Sequence, residues 1–462
     1  MLSIFNWLLR TSYKQHLVWA VFIFGQINSF CSAQNNMPNA SSDTLKLTLK
    51  EAIDYGLQRD LGIKNNQLDV TNTRHLYKQY RSAGLPQING SLGYQYFLKL
   101  PASLVPASAF GGPEGEFTKL TFGTKNNLSA GIEVGQLIFS GQYFVALEAS
   151  RKLTEQATVE VELTEKQLRD NITEAYFGGL AIQENIKAFK NNITILEKLL
   201  NETQIIQKAG FIEELDVDRL KLALKNLNTQ LQTFYRQADY AHNILKMLIS
   251  ADLEQPIKLT QKISDFVDVK KPLDLASLNS YNRLEFKRLD VAAGLNELDI
   301  KQIKQQYYPT VAGFFSAKTT FQANDLNIFK KDPWIPTSLV GFNVNIPIFD
   351  GQSKKYQLEQ RYVNGLKIQN GRSLQQRAIE LEIAQAKIGY QNAWDRLQSQ
   401  QEAIDLAQKI YNTITIKYKA GIGSSFELTD AEQKLFENQN LYINALYDLL
   451  KAQQALQKAL GN

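Results

Sequence analysis

Two stretches of the chain carry the same apolar seam in the same phase. Val217, Leu220, Leu224, Leu227, Leu231, Phe234, Ala238, Ala241, Leu245 and Leu248 form the first. Leu428, Ala431, Leu435, Asn438, Tyr442, Ala445, Leu449, Ala452, Leu456 and Ala459 form the second, each 211 positions after its counterpart. The steps alternate three and four, a coiled-coil period held for more than four heptads. Each seam follows a Lys-Ala-Gly turn, Lys208-Ala209-Gly210 and Lys419-Ala420-Gly421, with Asp216 and Glu427 six residues after the glycine. The pattern predicts two helical hairpins made by internal duplication.

The period changes to two elsewhere. Ile88, Gly90, Leu92, Tyr94, Tyr96, Leu98 and Leu100 fall on one face, against Gln87, Asn89, Ser91, Gly93, Gln95 and Lys99; Phe97 is an exception. A turn-rich stretch, 101–125, separates this run from Leu128, Ala130, Ile132, Val134 and Ile138, which face away from Asn127, Ser129, Gly131, Glu133 and Gly135. The second copy follows a loop pattern of the same kind. Val311, Gly313, Phe315, Ala317 and Phe321 alternate, with Phe314 breaking the polar face. A loop over 324–336 is expected, and then Val340, Phe342, Val344, Ile346 and Ile348 alternate. Helical pattern fills 45–84, broken near Asp60-Leu61-Gly62, and ends before Pro86; the second copy stops at Pro309. Proline-free stretches lead to Gly210 and Gly421. The first, from Gln142 to Lys208, would be about 100 Å long as a continuous helix at ~1.5 Å per residue. An irregular linker, 250–271, joins the halves. Each half therefore reads helix, strand, loop, strand, long helix, turn, long helix. The domains are 34–271 and 272–462, with strand pairs at about 86–140 and 309–350 and helical hairpins at about 142–249 and 352–460.

Residues 1–33 stand apart. Arg10 and Lys14 precede the apolar run 17–24, and Cys31-Ser32-Ala33 offers a cleavage site. This is the pattern of a secretory signal peptide, too short to span a membrane as a helix. Cys31 as a lipoprotein cysteine is the other reading. Cleavage after Ala33 removes Arg10 and Lys14 and no acid, so the formal charge falls from +5 to +3, too weak an excess to argue for nucleic acid. It also removes the single cysteine, and with it any disulfide framework or thiolate metal site. Hydrophobic residues at 44% and aromatics at 10% describe a folded chain.

No later run of 18 apolar residues exists, so any membrane crossing must be made by strands. The strand runs are long enough for a tilted crossing, with an apolar face for lipid and a small or polar face for water. A water-soluble β-sandwich shares that alternation. Four strands cannot close a roomy barrel, and open edges in lipid leave backbone groups unpaired, so several copies would have to pool strands. Tyr94, Tyr96, Phe97, Phe139, Phe321 and Phe349 fall toward strand ends, where interface girdles are expected.

Enzyme chemistry has little support. Only His75 and His242 follow the signal segment, without a second histidine at metal spacing, and no phosphate-binding glycine loop follows a strand. The carboxylates read as solvated helix faces, and Gly178-Gly179 as a bend or close approach within a helix. No cofactor is expected.

The chain resembles the TolC-type outer-membrane efflux proteins. Carrying residues are Leu47-Thr-Leu-Lys-Glu-Ala52, Leu85-Pro-Gln-Ile88, Ile346-Pro-Ile-Phe-Asp-Gly351, Tyr418-Lys-Ala-Gly421 through Asp430-Ala431-Glu432, and the closing Ala455–Gly461 segment. The resemblance implies a mainly α chain with a transmembrane β-barrel portion. It implies a homotrimer with one 12-stranded barrel in outer-membrane lipid and a periplasmic α-helical tunnel. An adaptor (membrane fusion) protein and an inner-membrane pump would be the partners, and substrates would leave by passive exit. The runner-up class is a periplasmic coiled-coil scaffold or adaptor without a pore.

The resemblance further implies that Lys208, Ala209, Gly210, Asp216, Lys419, Ala420 and Gly421 belong to adaptor-docking tips. It makes Glu427 and Asp430 candidates for a pore constriction. Gly423 departs from members with a polar or basic residue there. A local reading stands beside the pore role: Ser424-Ser-Phe-Glu427 is a capping box, with Ser424 as N-cap and Glu427 three residues into the helix. Asp216 and Arg219, the first-repeat counterparts of Glu427 and Asp430, carry opposite charges and need not line anything.

Overall fold

The computed structural model describes residues 44–267, 283–328 and 334–461. The signal segment with Cys31, the 271/272 domain boundary and the last part of the linker lie outside the described residues. Chain order is β1 (Leu45–Leu47), α1 (Leu49–Arg59), α2 (Leu61–Ser82), β2 (Gln87–Tyr96), β3 (Ala102–Pro106), β4 (Phe117–Thr121), β5 (Asn126–Phe139), α3 (Gly141–Lys208), α4 (Glu214–Leu248), β6 (Ile257–Leu259), α5 (Leu284–Gln305), β7 (Thr310–Ala323), β8 (Trp334–Asn345), α6 (Ser353–Lys419) and α7 (Ser425–Leu460).

The four long strands form one antiparallel sheet in the order β2-β5-β7-β8. Its register places apolar opposite apolar. Ile88, Val134, Phe315 and Val340 make one row across the sheet, and Gly90, Ile132, Ala317 and Ser338 the next of the same face. The opposite face carries Asn89, Glu133, Ser316 and Leu339 in one row and Ser91, Gly131, Lys318 and Thr337 in another. A shift between Leu137 and Phe139 sets Leu137 against Ala312 and Phe139 against Val311. One extra residue therefore carries Phe139 back to the apolar side. Ile88, Leu92, Ile132, Val340 and Phe342 are exposed on the single chain. Strands β2 and β8 each pair on one side only.

Several sequence expectations are corrected. Residues 45–47 are a strand, parallel to β6 inside the supposedly irregular linker. Leu47, Ile257 and Leu259 are buried there, and Tyr176 Oη donates to the Leu47 carbonyl at 3.0 Å. The loop 101–125 contains the β3–β4 hairpin. Strand β8 begins at Trp334, so Pro336 belongs to it rather than to the preceding loop; an edge strand tolerates the missing N–H. The strand ends at Asn345, before Pro347, which leaves Ile346 and Ile348 beyond the ladder. Phe321 is 1% exposed and packs on Trp334 with ring centroids 5.4 Å apart, so it is a packed residue and not part of an exposed girdle.

Helices α3 and α6 run 68 and 67 residues without interruption. Each turns at a glycine in the left-handed region, Gly210 at φ 83° and Gly421 at φ 76°, a conformation that closes a helix C-terminus at little steric cost. None of the twenty seam positions is exposed; Leu220, Leu428 and Ala459 are fully buried. Beside the main stripe, Leu446 and Leu450 are buried and Leu441 is exposed.

Two apolar clusters hold the helices. One, midway along them, joins Ile172, Tyr176, Leu180, Leu245, Leu259, Leu449 and Leu456. Gly179 lies here, where a Cβ would come within 2.7 Å of Leu259 Cδ1. The other, toward the turns, joins Leu196, Leu199, Leu220, Leu227, Tyr411, Leu428 and Leu435. Arg283, buried at the start of α5, caps α7: its guanidinium donates to the carbonyls of Lys458 and Ala459 and pairs with Glu285 and Glu382.

Candidate functional site

The candidate site is the end of the hairpins farthest along the chain from the sheet. Lys208 ends α3, and Ala209 and Gly210 are exposed in the turn. Lys419 ends α6, followed by exposed Ala420 and Gly421. The two turns are tied across the repeats. Lys419 Nζ lies 2.8 Å from Glu202 of α3 and holds its carboxyl below the ordinary value. Tyr418 Oη donates to buried Thr203 Oγ1 at 3.5 Å.

Asp216 and Arg219 do have a task. Ser425, 1% exposed at the start of α7, donates to Asp216 Oδ1 and accepts from Arg219 Nη1 at 3.0 Å. A hydroxyl between a carboxylate and a guanidinium satisfies both its donor and an acceptor site. The first hairpin thereby holds the first turn of the last helix. Ser425 was not singled out from sequence. Its signal is faint: it precedes Glu432 and Gln439 at steps of seven, a heptad of polar residues beside the apolar seam.

Glu427 caps α7. Ser424 Oγ accepts from the Glu427 N–H at 3.1 Å, and the Glu427 carboxylate accepts in return from the Ser424 N–H at 3.5 Å. Its side chain is exposed, as is that of Asp430, which pairs with Lys434 at 2.8 Å. Glu432 corrects the view of the carboxylates as solvated: it is 2% exposed and its Oε1 has no hydrogen-bond partner. Burial alone pushes its pKa up to about 8.

A sheet with one apolar face and open edges, joined to two long hairpins, is the protomer architecture of a membrane channel with a helical tunnel. The comparisons agree. The family model described as outer membrane efflux protein matches residues 287–462. The probable efflux pump outer membrane protein SepC of Pseudomonas putida is 22% identical over 419 residues, covering 89% of this chain and 83% of its own. The solved structure of CusC superposes with a TM-score of 0.70 at 17% identity, covering 93% of this chain and 96% of that one. The open state of the Neisseria gonorrhoeae MtrE outer membrane channel gives 0.67 at 16% identity, covering 90% and 89%. Residues 287–462 thus match the outer membrane efflux protein family, and the chain as a whole has the fold of the TolC-type outer-membrane channels.

Proposed function

We propose that three copies of this chain assemble one exit duct, each lending four strands to a 12-stranded barrel and two hairpins to a periplasmic tunnel. The observation that carries this reading is the sheet register. All four apolar faces lie on one side, while β2 and β8 keep a free edge. In lipid an unpaired edge costs several kcal/mol per group, roughly, so β8 of one copy pairs with β2 of the next until the ring closes. Glu133 and Lys318 then face the water-filled lumen.

In this reading residues 1–33 direct export and are removed, and 34–271 and 272–462 are the two repeats. The tips at Lys208, Ala209, Gly210, Asp216, Lys419, Ala420 and Gly421 receive a periplasmic adaptor bound to an inner-membrane pump. Glu427 and Asp430, repeated three times, form two stacked acidic rings at the narrow end, which favour cations. Transport through the duct is passive. The pump supplies the driving force, in efflux or in secretion.

Fractionation and channel recording test this. A heat-sensitive species of three chains in the outer membrane, conducting in planar bilayers, is expected. A soluble periplasmic protein without conductance would return the reading to a scaffold or adaptor.

A further inference from the structure

Two apolar clusters run through both hairpins, and beside them the contact between the hairpins carries polar side chains at heptad spacing. On α3, Asn185 and Asn192 are buried seven residues apart. On α7, Ser425, Glu432 and Gln439 follow the same step. Asn192 Nδ2 donates to Gln439 Oε1 at 2.7 Å, and Ser425 is held by Asp216 and Arg219 of α4. Glu432 sits between these two links with its Oε1 buried and unpaired. An ionised Glu432 inside this contact would carry a desolvated charge, and parting the contact relieves that cost.

We propose that Glu432 is a proton-operated latch between the hairpins: as the neutral acid it lets the tip close, and on ionising it loosens α7 from α3 and α4. The opening this produces at the tunnel end rests on the channel reading; the latch itself does not.

The surroundings support it. Glu432 lines a groove of about 860 Å³ between α4 and α7. The charged groups along that groove are Arg219 from α4 and Asp430 and Glu437 from α7, and α3 contributes Phe189. From α6, Tyr411 faces it, its hydroxyl pushed up first by burial and then by Glu432. None of these offsets the burial of the Glu432 carboxyl. Below its ordinary value of 4.5 the acid is protonated whether the seam is closed or parted. Above that, the parted form ionises freely and the closed form resists, so closure weakens as pH rises toward about 8.

Hydrogen exchange on the full chain in detergent, with times scaled for the intrinsic pH dependence, reads the latch directly. Between pH 6 and pH 8.5, amides of residues 425–440 should lose at least about tenfold in protection in the wild type. Glu432→Gln, a neutral isostere, and Glu432→Leu should stay protected at both pH values, while Asp430→Asn should respond like the wild type. An unchanged pH response in both Glu432 variants, or none in the wild type, overturns the latch. Bilayer recordings separate the two readings: conductance rising with pH in the wild type and constant in Glu432→Gln supports gating. Altered exchange with no conductance at any pH defeats the channel reading and leaves the latch standing.

Discussion

Arg219 Nη1 donates to Ser425 Oγ at 3.0 Å, so the first hairpin holds the start of the last helix. The link joins residues at the same end of the two hairpins and leaves the seams within each hairpin untouched. Ser425→Ala should leave the partly exposed Asp216–Arg219 pair short of one partner, costing about 0.5–1.5 kcal/mol locally. Expected outcomes are faster exchange in the first turns of α7 and a higher open fraction in bilayer recordings, with little change in global melting. A variant indistinguishable from wild type in both would remove the link from any part in closure.

The acids of the α7 entry separate by role. Ser424→Ala loses the N-cap, at about 1 kcal/mol. Glu427→Gln keeps the capping box and loses only charge. Asp430→Asn caps nothing. If the acids line the constriction, Glu427→Gln and Asp430→Asn lower cation over anion permeability, whereas Ser424→Ala changes stability and not selectivity. Reversal potentials in a salt gradient distinguish these outcomes, and unchanged selectivity in Asp430→Asn would take that residue out of the pore.

Acid should weaken the same end by another route. The hydrogen bond from Lys419 holds the Glu202 carboxyl below its ordinary value of 4.5. A depressed carboxyl contributes stability above that value and loses it as pH falls through the folded pKa. Both side chains are partly exposed, at 53% and 38%, so the effect is small and screened by salt. Amides of residues 416–421 should exchange faster, after scaling for the intrinsic pH dependence, below about pH 4.5 in the wild type. Glu202→Gln should not show that acid step. The direction is opposite to that at Glu432, so closure is expected to be best between the two.

The sheet predicts an asymmetric response to charge. Ile132, mid-strand on the apolar face, changed to Lys should cost about 2–4 kcal/mol if that face meets lipid. Ser316→Lys, on the opposite face beside the Glu133 row, should be tolerated. The measurement is the fraction of each variant recovered as a heat-sensitive assembly from the outer membrane. Equal recovery of both would contradict the assignment of faces.

Much of this molecule is legible in the chain because its periods are local. A step of three and four residues defines a buried helical stripe whatever the partner, and all twenty seam positions found cover. The alternating runs named the apolar face of every strand, since successive side chains must point to opposite sides. The capping box of Ser424 and Glu427 spans four residues and needs no tertiary context. The less regular pieces hid their pairing: β1 and β6 are three residues each and stabilise one another only across more than 200 positions.

The candidate site was less legible for the same reason. Asp216, Arg219 and Ser425 carry no joint signal, because two lie in one repeat and one in the other. Glu432 looks like any charged residue on a solvated helix. Phe321 looked like a girdle aromatic until Trp334 covered it. Sequence by itself determined the long helices and the four long strands, the turns at Gly210 and Gly421, and which face of each of these elements is apolar, all set by bonding geometry along a few residues. The tertiary structure alone decided which face meets which. It aligned four apolar strand faces in one sheet and set a row of polar side chains beside the apolar clusters that join the two hairpins. It also left one carboxyl oxygen, Glu432 Oε1, buried in that row without a hydrogen-bond partner, because burial and pairing depend on neighbours that are distant in the chain.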